Sequence, residues 1–226
     1  MLSILDNPSV NPYRPRVLEF PGLIFPWVEP EVEAQTLLEK TSKYKSLFLE
    51  IGSGSGGHLI SLAQANPDFA VIGVELRYKR AVRTVEKAIK SNLSNLFVIR
   101  ADVHHVFPIF ADNSVAAVFV NFPDPWEERK RWKHRTMSLT LLDFCKRVLM
   151  EIGTLAIKTD HQAYFDAFLA DIHSHQIFKI LELSRDLHHS EFSAGNILTE
   201  FERLFQSQGL PIHYAKIGRD AEIYKK

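Results

Sequence analysis

The chain has 226 residues, of which 46% are hydrophobic and 24% are charged, so it can bury one sizeable core but is too short for a second full domain. Lysine plus arginine and aspartate plus glutamate balance at 27 each, which excludes polyanion binding through the overall field of the protein and restricts any such site to a local patch. The single cysteine, Cys145, excludes an internal disulfide framework and a cysteine-based zinc site, and it favours a reducing, cytoplasmic location.

No membrane association is expected from the sequence. No apolar run approaches the roughly 18 residues that a membrane-spanning helix needs. Residues 1–4 also lack the charged region and the long apolar region of a signal peptide. We therefore expect an unprocessed protein in the cytoplasm.

Residues 1–28 are predicted to form an irregular arm, because a high density of proline opposes both helix and central strand. Its prolines are Pro8, Pro12, Pro15, Pro21 and Pro26. The remainder, residues 29–226, is expected to form a single domain.

Apolar runs and helical periodicity alternate along that domain. Runs that are apolar nearly throughout predict five buried strands, at 46–51, 69–76, 96–101, 115–121 and 153–159. Two further strands are predicted at 178–184 and 212–217, and this closing pair could form an antiparallel edge. Apolar residues at helical spacing predict helices at 29–44, 57–66, 77–92, 135–151, 161–175 and near 198–208. This alternation predicts an α/β fold with a doubly wound, mostly parallel seven-stranded sheet, closed by an antiparallel edge strand.

Polar residues stand at the end of each of the first five predicted strands. In an open parallel sheet ligands bind beyond the carboxyl ends of the strands, so these positions are the candidate site. Each residue alone could be a helix N-cap, but five together favour a ligand site. They are Glu50, Glu75, Asp102, the segment 121–126 and the segment 158–160.

The glycine turn after Glu50 has two possible interpretations. Gly52, Gly54 and Gly57 fit a dinucleotide fingerprint, whereas Gly52, Gly54 and Gly56 fit the looser turn of a methyltransferase. An acid directly before the glycines suits the cationic amino group of S-adenosylmethionine and would repel a pyrophosphate. We therefore expect S-adenosylmethionine as the cofactor.

Two further acids are expected to contact that cofactor. Glu75 lies at the distance along the chain where an acid accepts both hydroxyls of a ribose, under either interpretation of the turn. Asp102 could accept from the adenine amino group, or it could cap the following helical turn.

A proline-enclosed loop and a basic run follow the fourth predicted strand. Asn121-Phe122-Pro123-Asp124-Pro125-Trp126 fixes the acid between two prolines and offers a tryptophan for stacking. The run that begins at Arg129 interleaves basic residues with Trp132, a composition that suits phosphate contacts and base stacking. It comprises Arg129, Lys130, Arg131, Trp132, Lys133, His134 and Arg135.

A second basic cluster lies on the helix predicted at 77–92. It comprises Arg77, Lys79, Arg80, Arg83, Lys87 and Lys90. A solvated helix face explains this cluster better than a binding site does.

Together these motifs resemble the bacterial tRNA (guanine-N7)-methyltransferase family, and the resemblance runs in order from about residue 44 to 205. The segments that carry it are the Glu50 glycine turn, Glu75, the Asp124 loop, Lys158-Thr159-Asp160 and Thr199-Glu200-Phe201-Glu202. The resemblance implies a class I methyltransferase fold, S-adenosylmethionine as methyl donor and methylation of a guanine in the tRNA variable loop, at position 46.

By matching position, the resemblance also implies roles for individual residues. The implied donor-site residues are Glu50, Glu75, Asp102 and Asp124, and the implied substrate contacts are Asp160, Thr199 and Glu202. From the chemistry of the motifs themselves we add Gly52, Gly54 and Gly56 to the donor site, and Trp126, Arg129, Lys130 and Arg131 to the substrate contacts.

The sequence departs from the family pattern in two places that face the RNA and in the glycine turn. Glu127-Glu128 stand where the family has Pro-Lys, and Glu200 stands where it favours a basic residue. Ser55 occupies a position at which lysine is usual.

Guanine N7 exposes a lone pair and loses no proton when it is alkylated, so the reaction needs no general base. The enzyme has to align N7 with the donor methyl group and stabilise positive charge that grows on the purine. Asp124 and Asp160 are predicted to be the catalytic carboxylates, because both follow strand ends that border the expected cleft.

Three alternatives stay open at this point. They are a methyltransferase that acts on another substrate, an NAD-dependent oxidoreductase and a non-catalytic RNA-binding module. No metal site is expected, since the ten histidines show no ligand spacing. No protein partner is predicted to be required.

Overall fold

The computed structural model describes residues 11–220 of the chain. The chain forms two compact units, Met1–Ile109 and Phe110–Lys226. The predicted boundary between the arm and a single domain, at residue 28, stays a prediction. Part of the arm, residues 1–10, lies outside the described residues.

The first unit contains four parallel strands in the order β1, β4, β3, β2. The strands are β1 (Ile24–Phe25), β2 (Leu47–Ile51), β3 (Ala70–Val74) and β4 (Leu96–Ile99). The helices are α1 (Pro30–Thr41), α2 (Gly57–Ala65), α3 (Tyr78–Lys90) and α4 (Val103–Val106). Every residue of β3 and β4 is buried, which explains why these segments are apolar throughout.

The second unit contains four strands in the order β5, β6, β8, β7. The strands are β5 (Val115–Asn121), β6 (Leu149–Thr159), β7 (Phe178–Ser184) and β8 (His213–Arg219). The helices are α5 (Leu139–Val148), α6 (Gln162–His175) and α7 (Glu200–Ser207). β5 and β6 are parallel, and β8 is antiparallel to both of its neighbours.

The predicted α/β fold with a mostly parallel sheet and an antiparallel edge is confirmed, but the predicted count of seven strands is wrong. Residues 11–220 contain eight strands, four in each unit. The additional strand is β1, which is two residues long. At β4, the N–H of Val98 donates to Leu23 O and the N–H of Arg100 donates to Phe25 O, both at 2.8 Å. Proline-rich sequence tolerates such a strand because Pro26 stands outside β1 and Pro21 forms only an isolated bridge with Ile24.

Candidate functional site

The glycine turn joins β2 to α2 in the first unit. Gly52, Gly54 and Gly56 all have left-handed backbone angles, with φ of +73°, +57° and +76°. The turn is bonded to the end of β3, because the N–H groups of Gly52 and Ser53 both donate to Val74 O, at 2.8 and 3.1 Å. Residues with a Cβ rarely adopt these angles, so the conformation requires glycine at all three positions.

The three glycines have different surroundings. A Cβ placed at Gly56 would collide with the Thr84 side chain, so this glycine serves packing between α2 and α3. A Cβ placed at Gly52 or Gly54 would meet no atom within 4 Å. Those two positions therefore turn their backbone towards open space, where a ligand can approach the main chain closely.

Glu75, which follows β3, holds the glycine turn with its carboxylate. Oε2 accepts from the N–H of Gly54 at 2.9 Å, and Oε1 accepts from the N–H of Arg77 at 2.8 Å. A carboxylate offers about four lone-pair sites, so about two stay available for the hydroxyls of a ribose. Burial raises the pKa of Glu75, against the opposing effect of these N–H groups and of the Arg80 and Arg77 charges.

Glu50, the acid before the glycines, lies beneath the turn and is only 2% exposed. Its Oε2 lies 3.2 Å from Nδ1 of His58, a residue that the sequence analysis did not identify. His58 belongs to the first turn of α2 and is buried as well. The only sequence signal for it is its position on the helix that begins at Gly57.

Two side chains of α3 also hold the turn, and neither was predicted to do so. Thr84 Oγ1 donates to Gly54 O at 3.3 Å, and Lys87 Nζ donates to Ser55 O at 2.8 Å. Ser55 stands where lysine is usual in the family that the sequence resembles, and here its carbonyl oxygen accepts from Lys87 of α3. Thr84 and Lys87 reach the turn because they lie on the side of α3 that faces it, and a motif read along the sequence does not show this.

Asp102 caps α4, which is one of the two roles expected for it. Its Oδ1 accepts from the backbone N–H of His104 at 3.0 Å and lies 2.9 Å from His104 Nδ1. Burial opposes ionisation, but the bonds from His104 outweigh it and lower the pKa of Asp102. The adenine contact stays a prediction.

In the second unit, the Asp124 loop continues from the end of β5 with an unusual backbone. Phe122 and Trp126 have φ of +50° and +41°, in the left-handed region that side chains rarely adopt. The loop is held by Phe122 N–H donating to Lys158 O and by Arg135 Nε donating to Pro125 O, each at 2.8 Å. Such strain costs about 1–3 kcal/mol per residue and concentrates at functional sites. Asp124 itself is exposed between these two fixed points.

Trp126 is part of an aromatic and cationic group on the same loop. The Arg131 guanidinium lies 5.4 Å from the centroid of its ring, and the His134 ring lies 5.5 Å away. A ring that already attracts a cation can stack on a base or on a cationic purine.

The basic run forms a 3-10 helix, Arg129–His134, and most of its side chains are exposed. The acids that depart from the family pattern contact nearby basic groups. Glu128 Oε2 lies 2.8 Å from Lys130 Nζ and 3.8 Å from Arg131 Nε, and Glu127 Oε1 lies 3.5 Å from His161 Nε2. The run at 129–135 therefore keeps a net positive charge after these pairs are counted.

An exposed acid and a buried cation lie two residues apart at the end of β6. Asp160 is exposed, whereas Lys158 is only 6% exposed. Lys158 Nζ donates to Glu202 Oε2 and to Ile197 O, each at 3.0 Å, and to Asn196 Oδ1 at 2.5 Å. Lys158 was predicted only as part of the polar segment 158–160, without a role of its own, and Asn196 was not predicted.

Thr199 and Glu202, predicted as substrate contacts, form the capping box at the start of α7. Thr199 Oγ1 accepts from the Glu202 N–H at 2.9 Å, and Glu202 Oε2 accepts from the Thr199 N–H at 2.8 Å. Glu202 is fully buried, and burial alone would raise its pKa. The Lys158 charge and the bonds from Asn196, Thr199 and Lys158 outweigh burial and lower that pKa. The geometry supports a fastening role for this pair.

Within residues 11–220, no group of three or more histidine, cysteine, aspartate and glutamate side chains is arranged to hold a metal ion. No helix in that range has both the length and the apolar character needed to cross a membrane.

The mostly parallel sheet and the glycine turn after β2 define a class I methyltransferase fold. A solved structure of the 16S rRNA methyltransferase KamB shares this fold, with a TM-score of 0.60 and 18% identity over 82% of this chain and 92% of that chain. At this identity the likeness establishes the fold alone.

The family is established by sequence. The family model Methyltransf_4, described as "Putative methyltransferase", matches residues 44–215. The tRNA (guanine-N(7)-)-methyltransferase of Lachnoclostridium phytofermentans is 34% identical over 86% of this chain and 90% of that protein. The chain belongs to the tRNA (guanine-N7)-methyltransferase family, which uses S-adenosylmethionine as methyl donor.

A bifunctional glycosyltransferase/methyltransferase of Fusobacterium nucleatum is 32% identical over 88% of this chain. The matched region spans only 31% of that longer protein.

Proposed function

We propose that the protein transfers a methyl group from S-adenosylmethionine to N7 of a guanine in tRNA, the variable-loop guanine at position 46. The observation that carries this proposal is the open glycine turn, held by the Glu75 carboxylate, in a chain of this family. The glycine spacing also permits an NAD-dependent oxidoreductase, but membership of a methyltransferase family speaks against that alternative.

The first unit supplies the residues that fit the donor. Backbone at Gly52 and Gly54 faces open space that a Cβ would fill, and the remaining lone pairs of Glu75 suit the hydroxyls of a ribose. Glu50 and Asp102 are proposed for the amino group and the adenine. S-adenosylmethionine, when bound, supplies an electrophilic methyl group on a sulfonium.

The second unit supplies the residues proposed for the acceptor. The new N–C bond forms from the N7 lone pair as the C–S bond breaks, so the purine becomes cationic and no proton has to leave. Asp124 and Asp160 are exposed carboxylates that can stabilise this charge, and Asp124 is held between two fixed points of its loop. Trp126 offers a face for stacking the base.

The remainder of the RNA is proposed to contact the basic run, with Arg129, Lys130 and Arg131 at backbone phosphates. Thr199 and Glu202 are proposed to support substrate binding by holding the start of α7 in place. With tRNA as substrate, the place of action is the cytoplasm, and no second protein is required.

Transfer of a labelled methyl group to defined tRNA tests the proposal. The purified protein is incubated with methyl-labelled S-adenosylmethionine and with tRNA that carries either guanosine or 7-deazaguanosine at position 46. We expect label in the first RNA and none in the second, because 7-deazaguanosine has no N7 lone pair. Label in the deaza RNA would contradict the proposed atom, and no transfer to either RNA would contradict the proposed substrate.

The catalytic assignment is tested in the same assay with Asp124→Asn and Asp160→Asn, and with Asp68→Asn as the matched control. Asp68 is an exposed aspartate of the first unit that pairs with Lys45. We expect single-turnover rates to fall by about a hundredfold or more in each site variant, within the range for removing an electrostatic contact to a developing charge, and to stay near wild type in the control. Wild-type rates in both site variants would remove the assignment.

A further inference from the structure

The exposed face of α3 is rich in basic residues, beside Ile89 and the partly exposed Glu86. The buried face packs Ala81, Val82 and Val85 into the core of the first unit. The opposite face and the residue before the helix carry exposed cations. These are Arg77, Lys79, Arg80, Arg83 and Lys90, and we call them the α3 basic face.

Within residues 11–220 the cations of the α3 basic face form no close ion pair, although the charges of Arg77 and Arg80 act on Glu75 from a greater distance. None of the carboxylates placed within residues 11–220 lies within 4.0 Å of them. The single acid of the helix, Glu86, is already bonded to Arg16 of the preceding segment, Oε1 to Nη2 at 2.8 Å. That ion pair leaves the helix without an acid to balance its exposed cations.

The segment before β1 extends this face with an aromatic ring. Tyr13 lies with its ring centroid 5.8 Å from Lys79 Nζ and 5.8 Å from Arg16 Cζ. Basic groups interleaved with an aromatic ring are the composition of a surface that follows a nucleic-acid backbone.

A solvated helix face, the interpretation favoured by sequence alone, normally carries charges of both signs. Here the chain as a whole has zero formal charge, yet α3 exposes Lys79, Arg80, Arg83 and Lys90 along its 13 residues, a length of about 20 Å at 1.5 Å per residue, and its one acid is already paired with Arg16. We propose that the α3 basic face contacts backbone phosphates of the tRNA, as an RNA surface in addition to the basic run at 129–135. This inference rests on the proposed function, which supplies the polyanion.

The salt dependence of tRNA affinity measures such contacts directly. The test variant is Lys79→Gln/Arg83→Gln/Lys90→Gln, which spares Arg77 and Arg80 because their charges act on Glu75. The control is Lys43→Gln/Lys146→Gln/Lys179→Gln, which removes three exposed positive charges elsewhere. Full-length proteins are titrated with tRNA between 50 and 200 mM salt, and S-adenosylmethionine affinity is measured by calorimetry as a check on folding.

Each phosphate contact contributes about 0.7 to 0.9 to the slope of log affinity against log salt, so the loss of three contacts should flatten that slope by about 2 to 3. We expect this flattening in the test variant only, with S-adenosylmethionine affinity unchanged in both variants. Equal slopes for the test and control variants would overturn the inference, even where the wild type methylates tRNA. Failure of the proposed function has a different signature, since the wild type itself would then transfer no methyl group to tRNA.

Discussion

At the scale of single residues, a comparison of Gly54 with Gly209 can separate the effect of backbone strain on stability from the effect of a lost ligand contact on binding. Gly54 and Gly209 both have left-handed angles, φ of +57° and +67°, and at neither would a Cβ meet an atom within 4 Å. Gly54→Ala and Gly209→Ala should therefore each lower the free energy of unfolding by about 1–2 kcal/mol, the cost of placing an alanine in this region. Only Gly54 lies in the turn proposed for the donor.

We accordingly expect Gly54→Ala to weaken S-adenosylmethionine binding by about tenfold or more, which corresponds to at least 1.4 kcal/mol, and Gly209→Ala to leave it unchanged. Urea unfolding and calorimetry on the same two preparations separate the two effects. Equal donor affinities in these variants would show that the open side of Gly54 is not where the donor lies.

The residue scale also shows which parts of the site the sequence can predict. Acids at strand ends, such as Glu50 and Glu75, are identifiable because a carboxylate that directly follows an apolar run stands out. Their partners are not identifiable in this way. His58 contacts Glu50, and Lys87 bonds to Ser55 O of the turn, only because of the phase of α2 and α3, which the sequence shows as ordinary helical spacing.

At the scale of elements, the Lys158–Glu202 pair fastens the start of α7 to the end of β6. Both side chains are buried, and the loss of one partner leaves an uncompensated charge in the protein. Lys158→Met should lower the free energy of unfolding by about 3–5 kcal/mol. Lys158→Met/Glu202→Gln should cost clearly less than the sum of the two single changes, because the remaining charge is removed as well.

This pair also predicts a direction of pH dependence. The pKa of Glu202 is lowered in the folded protein, so its contribution to stability is present above the ordinary pKa of about 4.5 and is lost as the pH falls through the lower folded value. Denaturant unfolding between pH 7 and pH 3 should show a steeper loss of stability in the wild type than in the double variant. Parallel curves for the two proteins, or additive single costs, would contradict a coupled pair. The exposed pair of Lys45 with Asp68 is the control, with an expected cost of about 0–1 kcal/mol for Lys45→Met.

Elements differ in how far the sequence predicts them. β5 and β7 have the predicted bounds, since each is an apolar or alternating run closed by a polar residue. β1 escaped prediction because two residues carry no periodicity. The helix predicted at 135–151 begins only at Leu139 and ends at Val148, where the chain turns directly into β6. Its predicted first turn, residues 135–138, instead follows directly after a 3-10 helix, Arg129–His134, because a run of basic residues has no apolar periodicity to mark where an α-helix begins.

At the scale of the whole molecule, zero formal charge limits how the protein can attract RNA. A neutral protein has no long-range field that draws in a polyanion, so the salt dependence of tRNA binding must arise from local patches. Two such patches are available, the basic run at 129–135 and the α3 basic face. Glu128 reduces the positive charge of the first through its pairs with Lys130 and Arg131, whereas no carboxylate within residues 11–220 lies within 4.0 Å of the cations of the second.

The two patches therefore predict additive effects on the salt slope. A variant of the basic run, Arg129→Gln/Lys130→Gln/Lys133→Gln, should flatten the slope of log affinity against log salt, by less than three full phosphate contacts because Lys130 is already paired with Glu128. Combined with the α3 variant, it should lose the sum of the two separate reductions, because different cations release different counterions. Replacing Glu128 by glutamine should steepen the slope, because Lys130 and Arg131 then lose their internal partner. A combined variant no flatter than the α3 variant alone would show that the basic run contacts no phosphate.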